Sequence, residues 1–207
     1  MNIIAPTWGS LESIFDKEVT WVFISSPWFS AEGIEKLNNL FSDERLKKVK
    51  RIEIWFRINI EDFVMGTTDY DALLAFAERV HKQLKADKFR LYASNDLHAK
   101  VYASDRKVLI TSANLTKNGF VDNIEVGIDT LLSASLKNAL ESFMEEQYKY
   151  LDEVSIAKLR SFVKQLNTKT VTEYRKKVLE ILGKARKQMS LLTLERKLPP
   201  HSEFPLR

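Results

Sequence analysis

Residues 97–128 decide the fold, and they read LHAKVYASDRKVLITSANLTKNGFVDNIEVGI. Apolar and polar residues alternate through the first part, as they do in a strand, so His98 and Lys100 point to the same side. A second apolar run, residues 108–110, ends in the polar turn of residues 111–114. Ligands usually bind where the strands of an α/β sheet end, so these polar residues mark a candidate site.

The side chains of this stretch are suited to phosphoryl transfer. The imidazole of His98 can attack phosphorus and form a covalent intermediate, which divides one difficult displacement into two easier ones. Lys100 and Asn114 can bind the non-bridging oxygens and offset the charge that develops in the transition state. A carboxylate can hydrogen-bond the far ring nitrogen of the histidine, which fixes its tautomer and stabilises its charged form.

These residues resemble the signature of the phospholipase D superfamily, which carries His-x-Lys-x4-Asp, then a Gly-Ser-x-Asn turn, then a downstream Glu. The first part is present here as His98, Lys100 and Asp105. The turn reads Thr111-Ser112-Ala113-Asn114, with Thr in place of the usual Gly, and it follows Asp105 one residue sooner than usual. The continuations at residues 114–119 and 123–127 are typical of the single-motif nuclease branch.

The resemblance implies a role for each side chain. His98 would be the nucleophile, Lys100 and Asn114 would hold the phosphate, Ser112 would assist, and Glu125 would orient His98. Asp105 would have a supporting role, or it would cap the turn at residues 106–107. A lone histidine on a strand is commonly structural, but the ordered set from His98 to Glu125 favours the catalytic interpretation.

Length and composition indicate a soluble α/β protein. The 207 residues suffice for one full domain with an appendage, and the chain has no cysteine for disulfides or thiol chemistry. No apolar run is long enough for a membrane span, and the N-terminus does not resemble a secretory signal. We therefore expect a cytoplasmic protein that does not associate with a membrane.

The charge is distributed unevenly along the chain. Residues 151–207 carry 13 Lys and Arg against 6 Asp and Glu, a net charge of +7, whereas residues 1–150 carry 19 against 22. We divide the chain accordingly into a catalytic domain, residues 1–150, and a basic helical extension, residues 151–207, that binds DNA or supports a dimer. A solvated helix face is the alternative interpretation. The candidate phosphate-binding residues are Lys176, Lys177, Lys184, Arg186 and Lys187.

The remaining pattern predicts an α/β fold in which helices flank a mixed β-sheet. Further strands are predicted at residues 21–26, 51–58, 89–93 and 123–129. Helices are predicted at residues 30–41, 69–84, 132–150, 155–166 and 171–190, with Ser30, Asp69 and Thr170 as N-caps. Residues 59–68 are predicted to be a loop, and Pro199, Pro200 and Pro205 indicate an irregular tail. Trp28 and Phe29 are suited either to stacking on a base or to packing in the core.

The single copy of the motif has a consequence for assembly. In-line displacement needs a nucleophile on one side of phosphorus and an acid on the other, and one histidine cannot occupy both sides. We therefore expect a two-fold homodimer with the active site on its axis. The scheme needs no metal and no cofactor. The expected function is an endonuclease that cleaves DNA, with restriction or defence as one form. A non-catalytic nucleic-acid-binding module and a phospholipase-type enzyme are the alternatives.

Overall fold

The computed structural model describes residues 1–16, 18–84 and 86–193. The predicted irregular tail at Pro199, Pro200 and Pro205 lies outside the described residues. Within them, eight strands form one mixed sheet in the order β1-β7-β6-β5-β2-β3-β4-β8. The strands are β1 (Asn2–Ile4), β2 (Trp21–Ser26), β3 (Arg51–Arg57), β4 (Phe89–Ser94), β5 (Val101–Ser104), β6 (Lys107–Thr111), β7 (Gly127–Leu131) and β8 (Asp152–Glu153).

The centre of the sheet joins a parallel half to an antiparallel half. Strands β2, β3 and β4 are parallel neighbours, and helices connect them along the chain. Strand β5 runs antiparallel to β2, with Val101 opposite Ser25, and β6 and β7 continue the antiparallel half. The carboxyl ends of β2, β3 and β4 therefore share one edge with the start of β5 and the end of β6. That edge is where polar residues predict a site.

Helices cover both faces of the sheet. Their bounds are α1 (Trp8–Ile14), α2 (Ala31–Leu40), α3 (Asp43–Leu46), α4 (Ile60–Met65), α5 (Tyr70–Gln83), α6 (Ala134–Gln147), α7 (Ile156–Leu166) and α8 (Lys169–Thr193). The larger core lies between the sheet and helices α1, α2, α5 and α7. A smaller core on the opposite face packs Trp55 and Phe23 against Leu140 and Met144 of α6.

The predicted α/β class and flanking helices are confirmed, with several local corrections. The segment predicted as a loop contains helix α4, which begins after the Asn59 N-cap and ends at Gly66, whose φ is 70°. Strand β7 begins at Gly127, four residues later than predicted. Thr170 is not an N-cap because α8 already begins at Lys169. The predicted helix at residues 132–150 is shorter, and a 3₁₀ turn, Tyr148–Tyr150, follows α6.

The C-terminal extension is joined to the main body by packing. Strand β8 pairs with β4, and Leu159, Val163 and Leu166 of α7 belong to the larger core. Helix α8 packs on α4, where the Arg175 guanidinium lies 4.4 Å from the ring centre of Phe63. The division of the chain at residue 150 remains a prediction about function.

Candidate functional site

The predicted site residues meet at the carboxyl edge of the parallel strands. His98 and Lys100 lie just before β5 rather than within it, and the Thr111 amide donates to the Lys100 carbonyl at 3.1 Å. One cavity of about 470 Å³ is lined by His98, Lys100, Ser112 and Asn114 together. Four of the five predicted catalytic side chains thus line a common space that is open to solvent.

Lys100 is the buried cation of the site. It is only 8% exposed, and its Nζ lies 2.7 Å from the carbonyl oxygen of His98. The same Nζ is 3.3 Å from Nδ1 and 3.2 Å from Nε2 of His98, so it is not aligned with either ring nitrogen alone. Burial lowers the pKa of Lys100, the negative charge of Glu125 opposes that effect, and the positive charge of Arg57 reinforces it.

His98 is exposed, and its surroundings favour the neutral imidazole. The Lys100 ammonium lowers the pKa of His98, and partial burial and the Arg57 guanidinium act in the same direction. Because only the unprotonated ring nitrogen has a lone pair to donate, this electrostatic environment increases the nucleophilic form at a given pH.

Among the described residues, the hydrogen bonds of Glu125 go to Ser112 and Asn123, and the orientation of His98 by Glu125 remains an expectation from the resemblance. Its carboxylate accepts a hydrogen bond from the Ser112 hydroxyl and another from the Asn123 amide at 3.2 Å. The Ser112 hydroxyl oxygen in turn accepts from the Val126 amide at 3.1 Å. Glu125 therefore fixes Ser112 directly and acts on Lys100 through its charge.

Asn114 is held from several directions by the fold. The Tyr102 hydroxyl donates to the carbonyl of Ala113 at 3.1 Å, and the Leu115 amide donates to Ser26 Oγ at 3.0 Å. Within the described residues, Asn114 Oδ1 is buried and has no hydrogen-bond partner. Because Oδ1 is an acceptor, this spare capacity suits a group that donates a hydrogen bond, and only Nδ2 of the same amide could donate to a phosphate oxygen.

The Thr that replaces Gly in the turn has a structural task. Thr111 Oγ1 donates to the Val126 carbonyl at 2.9 Å and accepts from the Ala113 amide at 3.1 Å. Gly66 alone has positive φ in the described part of the chain, so the backbone at Thr111 does not require glycine. Thr111 in place of the usual Gly therefore stabilises the turn through these two hydrogen bonds.

Asp105 lies at the opposite end of β5 from the cavity. Its carboxylate accepts from the Thr20 amide at 3.0 Å, the Thr20 hydroxyl at 3.1 Å and the Trp21 amide at 3.4 Å, which anchors the start of β2. The turn at residues 106–107 is capped by Ser104, whose hydroxyl accepts from both turn amides. The hydrogen bonds of Asp105 thus lie within the fold, away from the candidate site, and its supporting role remains a prediction.

Comparison with solved structures decides the fold type, whereas no protein-family model and no curated protein matches the sequence significantly. Nuc from Salmonella typhimurium, a phospholipase D family member, is 15% identical with a TM-score of 0.50, and the match covers 70% of this chain and 88% of Nuc. Phosphatidylserine synthase from Haemophilus influenzae Rd KW20 is 16% identical with a TM-score of 0.53, over 81% of this chain and 43% of the synthase. The chain has a phospholipase D-like fold.

The phospholipase D-like fold also brings Arg57 to the site, which the sequence pattern did not reveal. Arg57 ends β3, and its Nε and Nη2 donate to the Asp62 carboxylate at 2.7 and 2.5 Å. The same carboxylate accepts from Trp28 Nε1 at 3.0 Å, and the Arg57 guanidinium lies 5.4 Å from the Trp28 ring centre. Phe29, which follows Trp28 in the chain, is fully buried. Of the two aromatic residues considered for stacking on a base, only Trp28 is partly exposed.

The basic face of α8 is exposed, and the described residues that line the cavity include none from this helix. Lys176, Lys177, Lys184 and Lys187 are exposed, and Lys184 pairs with Glu180 at 2.8 Å. The side chain of Arg186 lies outside the described residues. Within the described ranges, no cluster of three His, Cys, Asp or Glu could hold a metal ion, and no helix is long and apolar enough to cross a membrane.

Proposed function

We propose that this chain is a phosphodiesterase that cleaves nucleic acid, DNA in particular, through a covalent phosphohistidine. The observation that carries the proposal is the common cavity of His98, Lys100, Ser112 and Asn114. It combines an exposed nucleophile of lowered pKa with a buried cation and the side-chain amide of Asn114, whose Nδ2 can donate to a phosphate oxygen. The phospholipase D-like fold supports this function by analogy of architecture only.

The reaction would proceed in two displacements. The unprotonated ring nitrogen of His98 attacks phosphorus, a P–N bond forms, and the P–O bond to the leaving oxygen breaks as that oxygen takes a proton from a general acid. Water then attacks phosphorus, the P–N bond breaks, and the proton of the water returns to the general acid–base. Lys100 and Asn114 bind the non-bridging oxygens, and Ser112, whose single hydroxyl proton is donated to Glu125, assists by holding the turn that carries Asn114.

The general acid would come from a second copy of the chain. One imidazole cannot lie on both sides of the same phosphorus atom, so the partner's His98 completes the site across a two-fold axis. Exposed apolar residues border the Ser112 turn and suit such an interface, because large apolar side chains on a surface commonly mark contact sites. They are Ile110, Ile124, Val126 and Ile128.

Nucleic acid is the proposed substrate because positive charge adjoins the site. Arg57 lies near His98 and Lys100, and its partner Asp62 belongs to α4, on which the basic helix α8 packs. Lys176 and Lys177 directly follow Arg175, the residue that contacts α4, so a polyanion bound in the cavity could extend along α8. A role in restriction or defence is one form of this proposal.

Incubation with plasmid, single-stranded DNA and RNA in the presence of EDTA tests the proposal. We expect cleavage that persists in EDTA and is lost in His98→Ala, with dimers in sedimentation experiments. An equal amount of His98→Ala chains added to wild type should lower the rate, because each mixed dimer keeps only one of the two imidazoles, whereas a monomeric enzyme would be unaffected. Unchanged cleavage in His98→Ala, or cleavage only with added magnesium, would contradict the histidine mechanism. Binding without any cleavage would favour the non-catalytic module.

A further inference from the structure

A second cavity adjoins the nucleophile on the side away from Ser112 and Asn114. It has a volume of about 420 Å³, and His98 and Ala99 line both this cavity and the catalytic one. Its walls include Trp55, Phe143 and Tyr150. A phosphodiester held at His98 therefore has an aromatic-walled space of ligand-binding size immediately beside it.

The wall of this second cavity is held in place by a buried carboxylate. Glu53 is fully buried and accepts from Trp55 Nε1 at 2.7 Å, from the Tyr148 hydroxyl at 2.7 Å and from Arg51 Nη2 at 2.6 Å. Tyr148 begins the 3₁₀ turn that ends at Tyr150. The turn that carries the outer aromatic wall is thus tied to β3 by hydrogen bonds, which fixes the spacing between Trp55 and Tyr150.

The chemistry of the lining favours a nucleobase over a phosphate. No Lys or Arg is among the described residues that line this cavity, and Asp96 contributes a negative charge that would repel a phosphate. Gln147 and Ser94 supply donors and acceptors, and the Gln147 side chain makes no hydrogen bond to the described residues. Aromatic faces with a few polar groups are what proteins use to stack unpaired bases and bind their edges.

We propose that this second cavity binds one nucleobase next to the cleaved phosphodiester, an inference that rests on the proposed nuclease function. Tyr150 stacks on the base, and Gln147 hydrogen-bonds its edge. A base inside a duplex cannot enter the cavity without leaving its stack, so the substrate is single-stranded or locally unpaired nucleic acid. Tyr150 is 64% exposed, so it is available to a ligand and contributes little to the core.

The base subsite is tested by comparing wild type with Tyr150→Ala on three oligonucleotide substrates. Oligonucleotides of one sequence are compared as a single strand, as a duplex, and as a single strand with one abasic residue beside the cleaved bond. We expect kcat/KM to fall ~10-fold or more for Tyr150→Ala on the intact single strand, as loss of one stacked base predicts. Wild type and Tyr150→Ala should cleave the abasic strand at the same low rate. The matched control is Leu131→Ala. Leu131 is 71% exposed and is the last residue of β7, so this variant should cleave all three substrates at the wild-type rates.

The outcomes separate this inference from the proposed function. If the single strand is cleaved in a His98-dependent reaction but Tyr150→Ala has no effect, or lowers the rate equally on intact and abasic strands, the base subsite is wrong and the nuclease stands. Equal cleavage of duplex and single strand would also overturn the subsite. If wild type cleaves none of the three substrates, the proposed function itself fails. Gln147→Ala should repeat the Tyr150→Ala pattern with a smaller loss.

Discussion

Gly119 has a close contact with the Asn114 turn, and its replacement by alanine should disable the site without unfolding the chain. A Cβ at Gly119 would lie 2.4 Å from the carbonyl oxygen and 2.9 Å from the amide nitrogen of Asn114. Ordinary contacts of a Cβ begin at 3.4 Å, so either Asn114 or the short π-helix Asn118–Asp122 must move by about 1 Å. The Asn114 amide lines the catalytic cavity, and such a displacement would carry it out of position.

The size of the expected loss follows from this displacement. A shift of ~1 Å in a group that positions substrate can lower the rate about 100-fold, which corresponds to ~2.7 kcal/mol of transition-state stabilisation. Gly33→Ala should also lower the rate of cleavage. Its Cβ would lie 2.2 Å from the carbonyl oxygen of Leu115, which directly follows Asn114 in the chain. The two changes disturb one segment, so their effects should not add.

The assay is kcat/KM on a single-stranded oligonucleotide in EDTA, with thermal unfolding measured in parallel. Gly183→Ala is the matched control, because no heavy atom lies within 4 Å of its Cβ and alanine is favoured in a helix such as α8. It should cleave at the wild-type rate. Folded Gly119→Ala with activity within threefold of wild type would refute the prediction, and so would an equal loss of activity in Gly183→Ala.

Three other changes test separate contacts. Asp105→Ala removes three hydrogen bonds to Thr20 and Trp21, so the free energy of unfolding in urea should fall by about 1 kcal/mol with little change in kcat. Glu53→Ala leaves two side-chain N–H donors and one hydroxyl without their buried acceptor and should cost ~3 kcal/mol of stability in the same assay. Arg57→Gln removes a positive charge that lowers the pKa of His98, so that pKa should rise in a proton NMR titration assigned with His98→Ala. Since the nucleophile must be neutral, the acidic limb of the kcat/KM profile should move to higher pH in Arg57→Gln, and an unchanged limb would contradict this role.

The strands and longer helices could be predicted because their signals are local. Strand β2 has the predicted bounds, and α2 and α5 begin after Ser30 and Asp69, whose side chains cap them as predicted. Helix α4 was missed because its six residues are too few to show a period. Its end signals were nevertheless in the sequence: Asn59 Oδ1 accepts from the Glu61 amide at 2.7 Å, and Gly66 adopts the left-handed conformation that ends the helix.

The start of β7 could not be predicted because a strand depends on its neighbour. Residues 123–129 alternate as a strand should, yet Thr111 is the last residue of β6 and it pairs with Gly127. Among the described residues, the segment before Gly127 pairs with no strand, and Ile124 and Val126 project into solvent. Packing within the described chain does not explain why these exposed residues are apolar. We therefore propose that a second copy of the chain covers them.

Arg57 and its contact with Trp28 could not be found from the sequence, because no short spacing joins either residue to the motif. They meet only because α4 places Asp62 beside the ends of β2 and β3, where its carboxylate binds both side chains. Without that carboxylate, the charge of Arg57 would not be fixed near His98. An arrangement of this kind depends on tertiary packing and leaves no pattern in the sequence.

The spacing of the motif itself has a physical reason that the structure supplies. His98 and Asp105 flank β5, whose four residues span roughly 13 Å of extended chain. One end of the motif therefore places the proposed nucleophile at the carboxyl edge, while the other end ties β5 to the start of β2. Because β2 and β5 are paired, anchoring Thr20 also fixes the register that puts Ser25 opposite Val101, next to Lys100. Asp105 thus acts on the site only through strand alignment, so its loss should lower stability well before it lowers the rate of cleavage.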